Sequence, residues 1–243
     1  FDAGGSDRKV SAVINGECVY SEEVVWHPKT QSDPQYQFEG ILDSFRTAAS
    51  KMPRVDGIGV SSAGVFIGNA PMISSIFYKV PRSEWDYVKT VFDRAAAEIG
   101  PNVPILVAND GDVTALAGAI DLEDNGVLGI AMGTSEAVGY INMQGGINGW
   151  LSELAFAPVD FNEGAMQDEW SGDFGVGCKY FSQDAVIKLA EYGASDQMEK
   201  INRTLVRWTK EAVQKDAHSL CYVAGNLTMT GQMLKPIGTL DFE

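Results

Sequence analysis

Cysteine is scarce in this 243-residue chain: Cys18, Cys178 and Cys221 are odd in number and far apart. None of them forms a C-x-x-C pair, so neither a disulfide framework nor a cysteine zinc site is expected. Basic residues are few as well, 18 Lys and Arg against 33 Asp and Glu, for a formal charge of −15. No basic cluster interrupts that excess, which argues against nucleic-acid binding, since such binding rests on Lys and Arg neutralising phosphates. Long apolar runs are missing too, and no stretch reads as a membrane span or a signal peptide. A cytoplasmic protein is therefore expected, and the N-x-T sequons at Asn202 and Asn226 are taken as chance. Histidine is limited to His27 and His218; neither has a partner motif, so both are read as structural or solvent-facing. No G-x-G-x-x-G opens a helix, which sets aside a simple dinucleotide-binding pattern, and no repeat of solenoid period occurs.

What remains is ample material for a packed core, with 45% hydrophobic and 10% aromatic residues, in one large domain or two smaller ones. Arg8 to Ile14 and Glu17 to Trp26 are β-rich runs separated by Asn15-Gly16, a strong hairpin signal. Phe38, Ile41, Leu42, Phe45 and Ala48 recur at helical spacing. Val55 to Ser61 reads as a buried strand ending in the small-residue turn Ser61-Ser62-Ala63-Gly64. A helix is expected over Ser83 to Ile99, capped by Ser83 and stopped by Gly100-Pro101. Pro104 to Ala108 is the next strand and Asp112 to Ile120 the next helix. Gly126 to Met132 and Ala137 to Asn142 resemble an antiparallel pair. Helices are also expected from Gln183 to Tyr192 and from Ser195 towards Ala217. This mixture of antiparallel ribbons and crossover helices indicates an α/β chain on two mixed sheets.

Three loops share a physical character. Asp2-Ala3-Gly4-Gly5-Ser6 puts a carboxylate on a strand and then two glycines, whose bare backbone permits a tight turn with N–H groups open to phosphate oxygens. Gly133-Thr134-Ser135 is a second turn of that kind. Between them Asn109-Asp110 ends a buried strand, where acids are costly unless paired or used and where α/β sheets usually hold ligands. Taken singly, each is more often an ordinary turn or helix cap.

In order and spacing, the chain resembles the ROK family of sugar kinases and repressors, within the actin-like ATPase superfamily, from residue 1 to about residue 190. The resemblance rests on Asp2-Ala3-Gly4-Gly5-Ser6, Gly57-Ile58-Gly59-Val60-Ser61, Asn109-Asp110, Gly133-Thr134 and the segment from Ser152-Glu153 to Asp160. It implies a two-lobed, ribonuclease H-like α/β fold with an interlobe cleft, the lobes being residues 1–110 and 111–243. Two full lobes would need more length than this, so the second is expected to be shortened or incomplete. The implied activity is ATP-dependent phosphorylation of a hexose or N-acetylhexosamine hydroxyl. Asp110 would be the general base that takes the hydroxyl proton. Asn109, Glu153 and Ser61 would hold the sugar, with Trp150 a candidate stacking face or an ordinary packing residue. Gly4, Gly5, Ser6, Gly133 and Thr134 would steady the phosphates, and Asp2 would hold Mg²⁺ through water. The implied partner is a small-molecule sugar, with no nucleic acid or membrane, and a homodimer is the implied assembly.

Three departures from the family pattern stand out. Glu136 follows the second Gly-Thr where further glycines are usual. An anionic carboxylate beside a triphosphate is repulsive, by several kcal/mol in a low-dielectric cleft and about 1 kcal/mol when solvated. Glu136 facing the phosphate loop would favour a second reading, a non-catalytic sugar sensor or regulator with weakened ATP binding; Glu136 facing solvent would favour the kinase. Phe156 occupies the place of the family's zinc-binding histidine and only Cys178 remains of its cysteines, so no zinc site is expected. The carboxyl-terminal portion shows no recognisable strand ending in Gly-Gly. The acids Asp168, Glu169 and Asp173 are expected to be solvated.

Overall fold

In this computed structural model, residues 1–132, 136–147, 154–169, 171–182 and 222–226 are described, with Ala185, Lys200, Thr204 and Arg207. The chain opens on β1 (Asp2–Ala3), turns through Gly4–Ser6 and returns antiparallel as β2 (Asp7–Ile14). Asn15 and Gly16, at φ 51° and 83°, supply the two left-handed positions of a type I′ turn, which leads into β3 (Glu17–Val25).

Helix α1 (Pro34–Ala49) starts where the sequence provides for it. Asp33 is the N-cap and accepts a hydrogen bond from Gln35 N at 2.9 Å, and Pro34 holds the first helical position, where its missing N–H costs nothing. Ile41, Leu42, Phe45 and Ala48 form its buried face. Strand β4 (Ile58–Ser62) follows, then a short hairpin of β5 (Val65–Ile67) and β6 (Ala70–Ile73). The sequence indicated only a turn there. Asn69 at its tip straps the hairpin to the next strand, accepting from Val107 N at 3.1 Å and donating to the Ile105 carbonyl at 3.2 Å.

The single helix expected over Ser83 to Ile99 is broken. A 3₁₀ turn (Arg82–Glu84) leads into α2 (Trp85–Val88), and α3 (Val91–Ile99) begins afresh. Ser83 lies inside the 3₁₀ turn and caps nothing. Thr90 hydroxyl donates back to the Tyr87 carbonyl at 3.2 Å, the local competition by which Thr weakens helices. The break lets Trp85, Val88, Val91, Phe92, Ala95 and Ala96 all reach one core with Ile76 and Phe77. Strand β7 (Ile105–Asn109) then completes a five-stranded mixed sheet in the order β3-β2-β1-β4-β7, with β1, β4 and β7 parallel.

These elements make up the first of two units, Phe1–Asp110; the second is Gly111–Glu243. Helix α4 (Asp110–Leu122) continues directly from β7. In the second unit β8 (Val127–Met132) pairs antiparallel with β9 (Glu136–Ile141) and parallel with β10 (Tyr222–Asn226). Strand β10, which no sequence signal marked, ends in Gly225-Asn226 and not in Gly-Gly. Small residues let α4 lie directly on this sheet: a Cβ at Gly111 would sit 2.5 Å from the Val138 carbonyl oxygen, and Ala115 packs against Gly129. That close approach, rather than turn formation, is why glycine follows Asn109-Asp110.

The segment after β9 carries two 3₁₀ turns, Leu154–Phe156 and Gly177–Lys179, with Ala155, Val176 and Cys178 buried together and Phe156 packed on them. The expected helices at 183–192 and 195–217 lie almost wholly outside the described residues, as do His218 and Cys221. Among the described residues no helix is long and apolar enough to cross a membrane.

Candidate functional site

The parallel strands place the candidate residues of the first unit along one end of its sheet. In the β1–β4–β7 register, Asp2 pairs with Ser61 and Ser61 with Ala108; in the next row Ala3 pairs with Ser62 and Ser62 with Asn109. Adjacent strands lie about 4.8 Å apart, so Asp2 and the end of β7 are separated by about 10 Å. Asp110 is the next residue after Asn109 and is half-buried. Strand β1 leads left into β2 and β3, whereas β4 leads right towards β7. The carboxyl ends of β1 and β4 thus flank the point where the strand order reverses, which is where open α/β sheets bind ligands. Asp2, Gly4, Gly5, Ser6, Ser61, Asn109 and Asp110, remote in sequence, converge on that edge.

Hydrogen bonds fix several of them. Ser62, next to Ser61, turns its hydroxyl inward to the Ala3 carbonyl at 3.3 Å, so Ser61 takes the opposite face. Asn109 uses one amide N–H on the Gly64 carbonyl at 2.8 Å, which ties the end of β7 to the turn after β4. Phe1 N donates to the Gly59 carbonyl at 2.8 Å and Ser61 N to the Phe1 carbonyl at 2.7 Å, extending the β1–β4 ladder to the chain's first residue.

The turn after β1 is tight. A Cβ at Gly4 would lie 2.7 Å from the Asp7 carbonyl oxygen. Ser6 is exposed and donates its hydroxyl to Asp7 at 3.1 Å. Asp7 in turn accepts from Lys9 at 2.6 Å, which offsets its charge. Buried Trp26 closes the turn from the side: its indole N–H donates to the Gly4 carbonyl at 2.8 Å and its backbone N–H to the Ser6 carbonyl at 3.1 Å. Lys29 comes close to the same turn, since a Cβ at Gly5 would lie 2.7 Å from its ammonium nitrogen. Sequence reasoning missed Lys29, Trp26 and Asp7. No motif marks the first two, although Trp26-His27-Pro28-Lys29 directly follows a strand that pairs beside the loop.

In the second unit Glu136 does not face solvent, and Gly133 and Thr134, the loop of the other alternative, lie outside the described residues. It is buried, 9% exposed, with Oε2 unpartnered, and that oxygen packs against Gly177, where a Cβ would lie 2.5 Å away. Burial pushes its carboxyl up to about 7, because a low-dielectric site disfavours the charged form. Glu136 therefore points into its own unit, and near neutrality much of it carries no charge. Asp168 likewise departs from expectation. It is 8% exposed, accepts from Ser171 N at 2.7 Å and lies 3.7 Å from the Cys178 sulfur. Burial, followed by the charge of Asp168, pushes the Cys178 thiol up to about 11. Glu169 is exposed and pairs with Lys179 at 2.6 Å, and Asp173 is exposed. Gly133, Thr134, Trp150 and Glu153 lie outside the described residues. Among the described residues no group of three metal-ligating side chains occurs.

No protein-family model and no curated protein matches the chain in sequence. Solved structures do match it in shape. A ROK-family transcriptional regulator, a homologue of the E. coli MLC protein, is 16% identical with a TM-score of 0.61, over 79% of this chain and 48% of that one. A ROK-family glucokinase from Streptomyces griseus, solved with glucose and AMPPNP, is 18% identical with a TM-score of 0.58, over 82% of this chain and 61% of that one. An inorganic polyphosphate/ATP-glucomannokinase from Arthrobacter sp. strain KM is 20% identical with a TM-score of 0.62, over 93% of this chain and 82% of that one. The chain thus spans about half the length of the regulator and about three-fifths of the glucokinase. At these identities the likeness shows the fold, the actin-like α/β architecture that these ROK proteins share.

Proposed function

We propose that this chain belongs to the ROK family and phosphorylates a sugar hydroxyl, with Asp110 as general base. The observation that carries this reading is the convergence of Asp2, the Gly4-Gly5-Ser6 turn, Ser61, Asn109 and Asp110 on one edge of the five-stranded sheet, at its topological switch point. A carboxylate and a glycine turn held about 10 Å apart leave room for a hydroxyl and a phosphoryl group between them.

Asp110 takes the proton as the sugar oxygen attacks the terminal phosphorus of the donor. The new O–P bond forms while the phosphoanhydride bond breaks, and the electron pair leaves with the donor's remaining phosphates. Asn109 and Ser61 orient the acceptor. Gly4 and Gly5 bring backbone close to the phosphates, and Asp2 fits a hard cation held mainly by water. Mg²⁺ bound there would neutralise phosphate charge. The resemblance assigns Glu153 and Trp150 to the sugar and Gly133 and Thr134 to the phosphates. The second reading, a sugar sensor or regulator without catalysis, stays attached to Glu136, whose carboxyl is buried rather than turned to solvent.

Calorimetry of the protein against ATP–Mg²⁺ and a panel of hexoses and N-acetylhexosamines, alongside a coupled assay for ADP release, tests the proposal. Sugar-dependent ADP release supports it. Sugar binding without nucleotide binding or turnover would return the chain to the sensor class.

A further inference from the structure

We infer that Lys29 binds the phosphoryl donor. This assignment rests on the kinase reading above and extends it to a residue outside the glycine loops. Lys29 lies on the 3₁₀ turn Pro28–Thr30 after β3, a segment anchored on both sides of the lysine. Trp26 makes its two hydrogen bonds to the Gly4–Ser6 turn. Pro28 is buried and its carbonyl accepts from Gln37 Nε2 at 3.0 Å. Thr30 closes the turn from beyond, its hydroxyl donating to the His27 carbonyl at 2.9 Å.

That scaffold sets the lysine over Gly5, so near that a Cβ there would lie 2.7 Å from Nζ. Arg8, Lys9, Arg46, Arg54, Lys89 and Lys179 each pair with a carboxylate. Among the described residues Lys29 pairs with none, as do Lys51, Lys79, Arg82 and Arg94, but those four lie over aromatic rings and Lys29 over none. Asp7, the carboxylate that Ser6 contacts, is held by Lys9. An ammonium without an acid, seated beside bare glycine backbone at the strand end that holds Asp2, suits an anion with several oxygens. Within the proposed reaction that anion is the terminal phosphoryl group of the donor, supplied by a nucleoside triphosphate or by inorganic polyphosphate.

Two variants test this in different ways. Lys29→Met removes the charge and keeps the length, and Lys29→Arg restores a cation. Gly5→Ala leaves Lys29 in place but fills its seat; the side chain that must yield is flexible, so the fold is kept. Kinetics with ATP–Mg²⁺ and with polyphosphate, and calorimetric titration of each donor, should show K29M weakening the donor by about ten- to a hundredfold. K29R should recover part of that loss, and the KM for sugar should stay put. G5A should match K29M, and the double variant should lose no more than either one. If only one donor responds, that donor is the occupant. Unchanged donor kinetics in K29M, or additive losses in the double variant, overturn the role of Lys29 while the kinase reading stands. Donor binding that is sensitive to K29M, with no sugar-dependent turnover, supports Lys29 and sinks the kinase reading. Wild-type protein that binds neither donor overturns both.

Discussion

Replacing Glu136 by Gln should make the second unit more stable in alkaline solution and leave it almost unchanged in acid. The carboxyl is 9% exposed and Oε2 has no hydrogen-bond partner, so ionising it leaves a charge that burial disfavours. Its pKa rises from 4.5 to about 7. The folded protein therefore holds this proton more tightly than the unfolded chain does. The resulting stability is fully present below pH 4.5 and is lost as pH climbs towards and through 7. The shift corresponds to about 3 kcal/mol, and water at the carboxyl's remaining exposed edge lowers that to about 2 kcal/mol. The neutral amide of E136Q has no charge to lose solvation and escapes this loss. Calorimetric melting at pH 5 and pH 8 measures the effect. Wild type should lose ground between the two, while E136Q should melt about 4–8 °C above wild type at pH 8 and within about a degree of it at pH 5. An E136Q protein that melts no higher than wild type at pH 8, or a wild type whose stability is flat across this range, would refute the reasoning.

Two further predictions concern packing and thiol chemistry. Gly111→Ala places a methyl 2.5 Å from the Val138 carbonyl, where backbone cannot yield, and should cost about 2–3 kcal/mol in urea unfolding; a loss below about 0.5 kcal/mol would mean that α4 does not seat on β9 so closely. Iodoacetamide at pH 8, mapped by peptide mass, should label exposed Cys18 within minutes and leave Cys178 unmodified until the protein unfolds, because the thiol is buried and pushed up to about 11. Equal labelling of the two in the native protein would contradict that burial.

Much of the first unit was legible in the sequence because its signals are local. Asn15-Gly16 dictates its own turn, and the spacing of Ile41, Leu42, Phe45 and Ala48 marks a face. The small residues around Gly111 identified a helix but not its reason, which is a sheet approaching from elsewhere in the chain. Ser83 misled: its spacing to Asp86 resembles a cap, yet the break at Thr90 is set by which side chains must reach the core. Asp168 was misread, and the burial of Glu136 went unforeseen, for a related cause. Their burial is decided by Gly177, Cys178 and Ser171, some 30–40 residues on from Glu136 and 3–10 from Asp168, and no local pattern records it. At the candidate site, Asp2, Asn109 and Asp110 could be named from their motifs, whereas Lys29 owes its place to the hairpin that carries it back beside Gly5.

Asp110→Asn is the most direct measurement. The amide keeps the shape of the side chain and cannot take the hydroxyl proton, so sugar-dependent phosphoryl transfer should fall by a factor of about 10²–10⁴ while calorimetry shows the sugar bound as tightly as before. Turnover in D110N equal to that of wild type would contradict the assignment of Asp110 as the base.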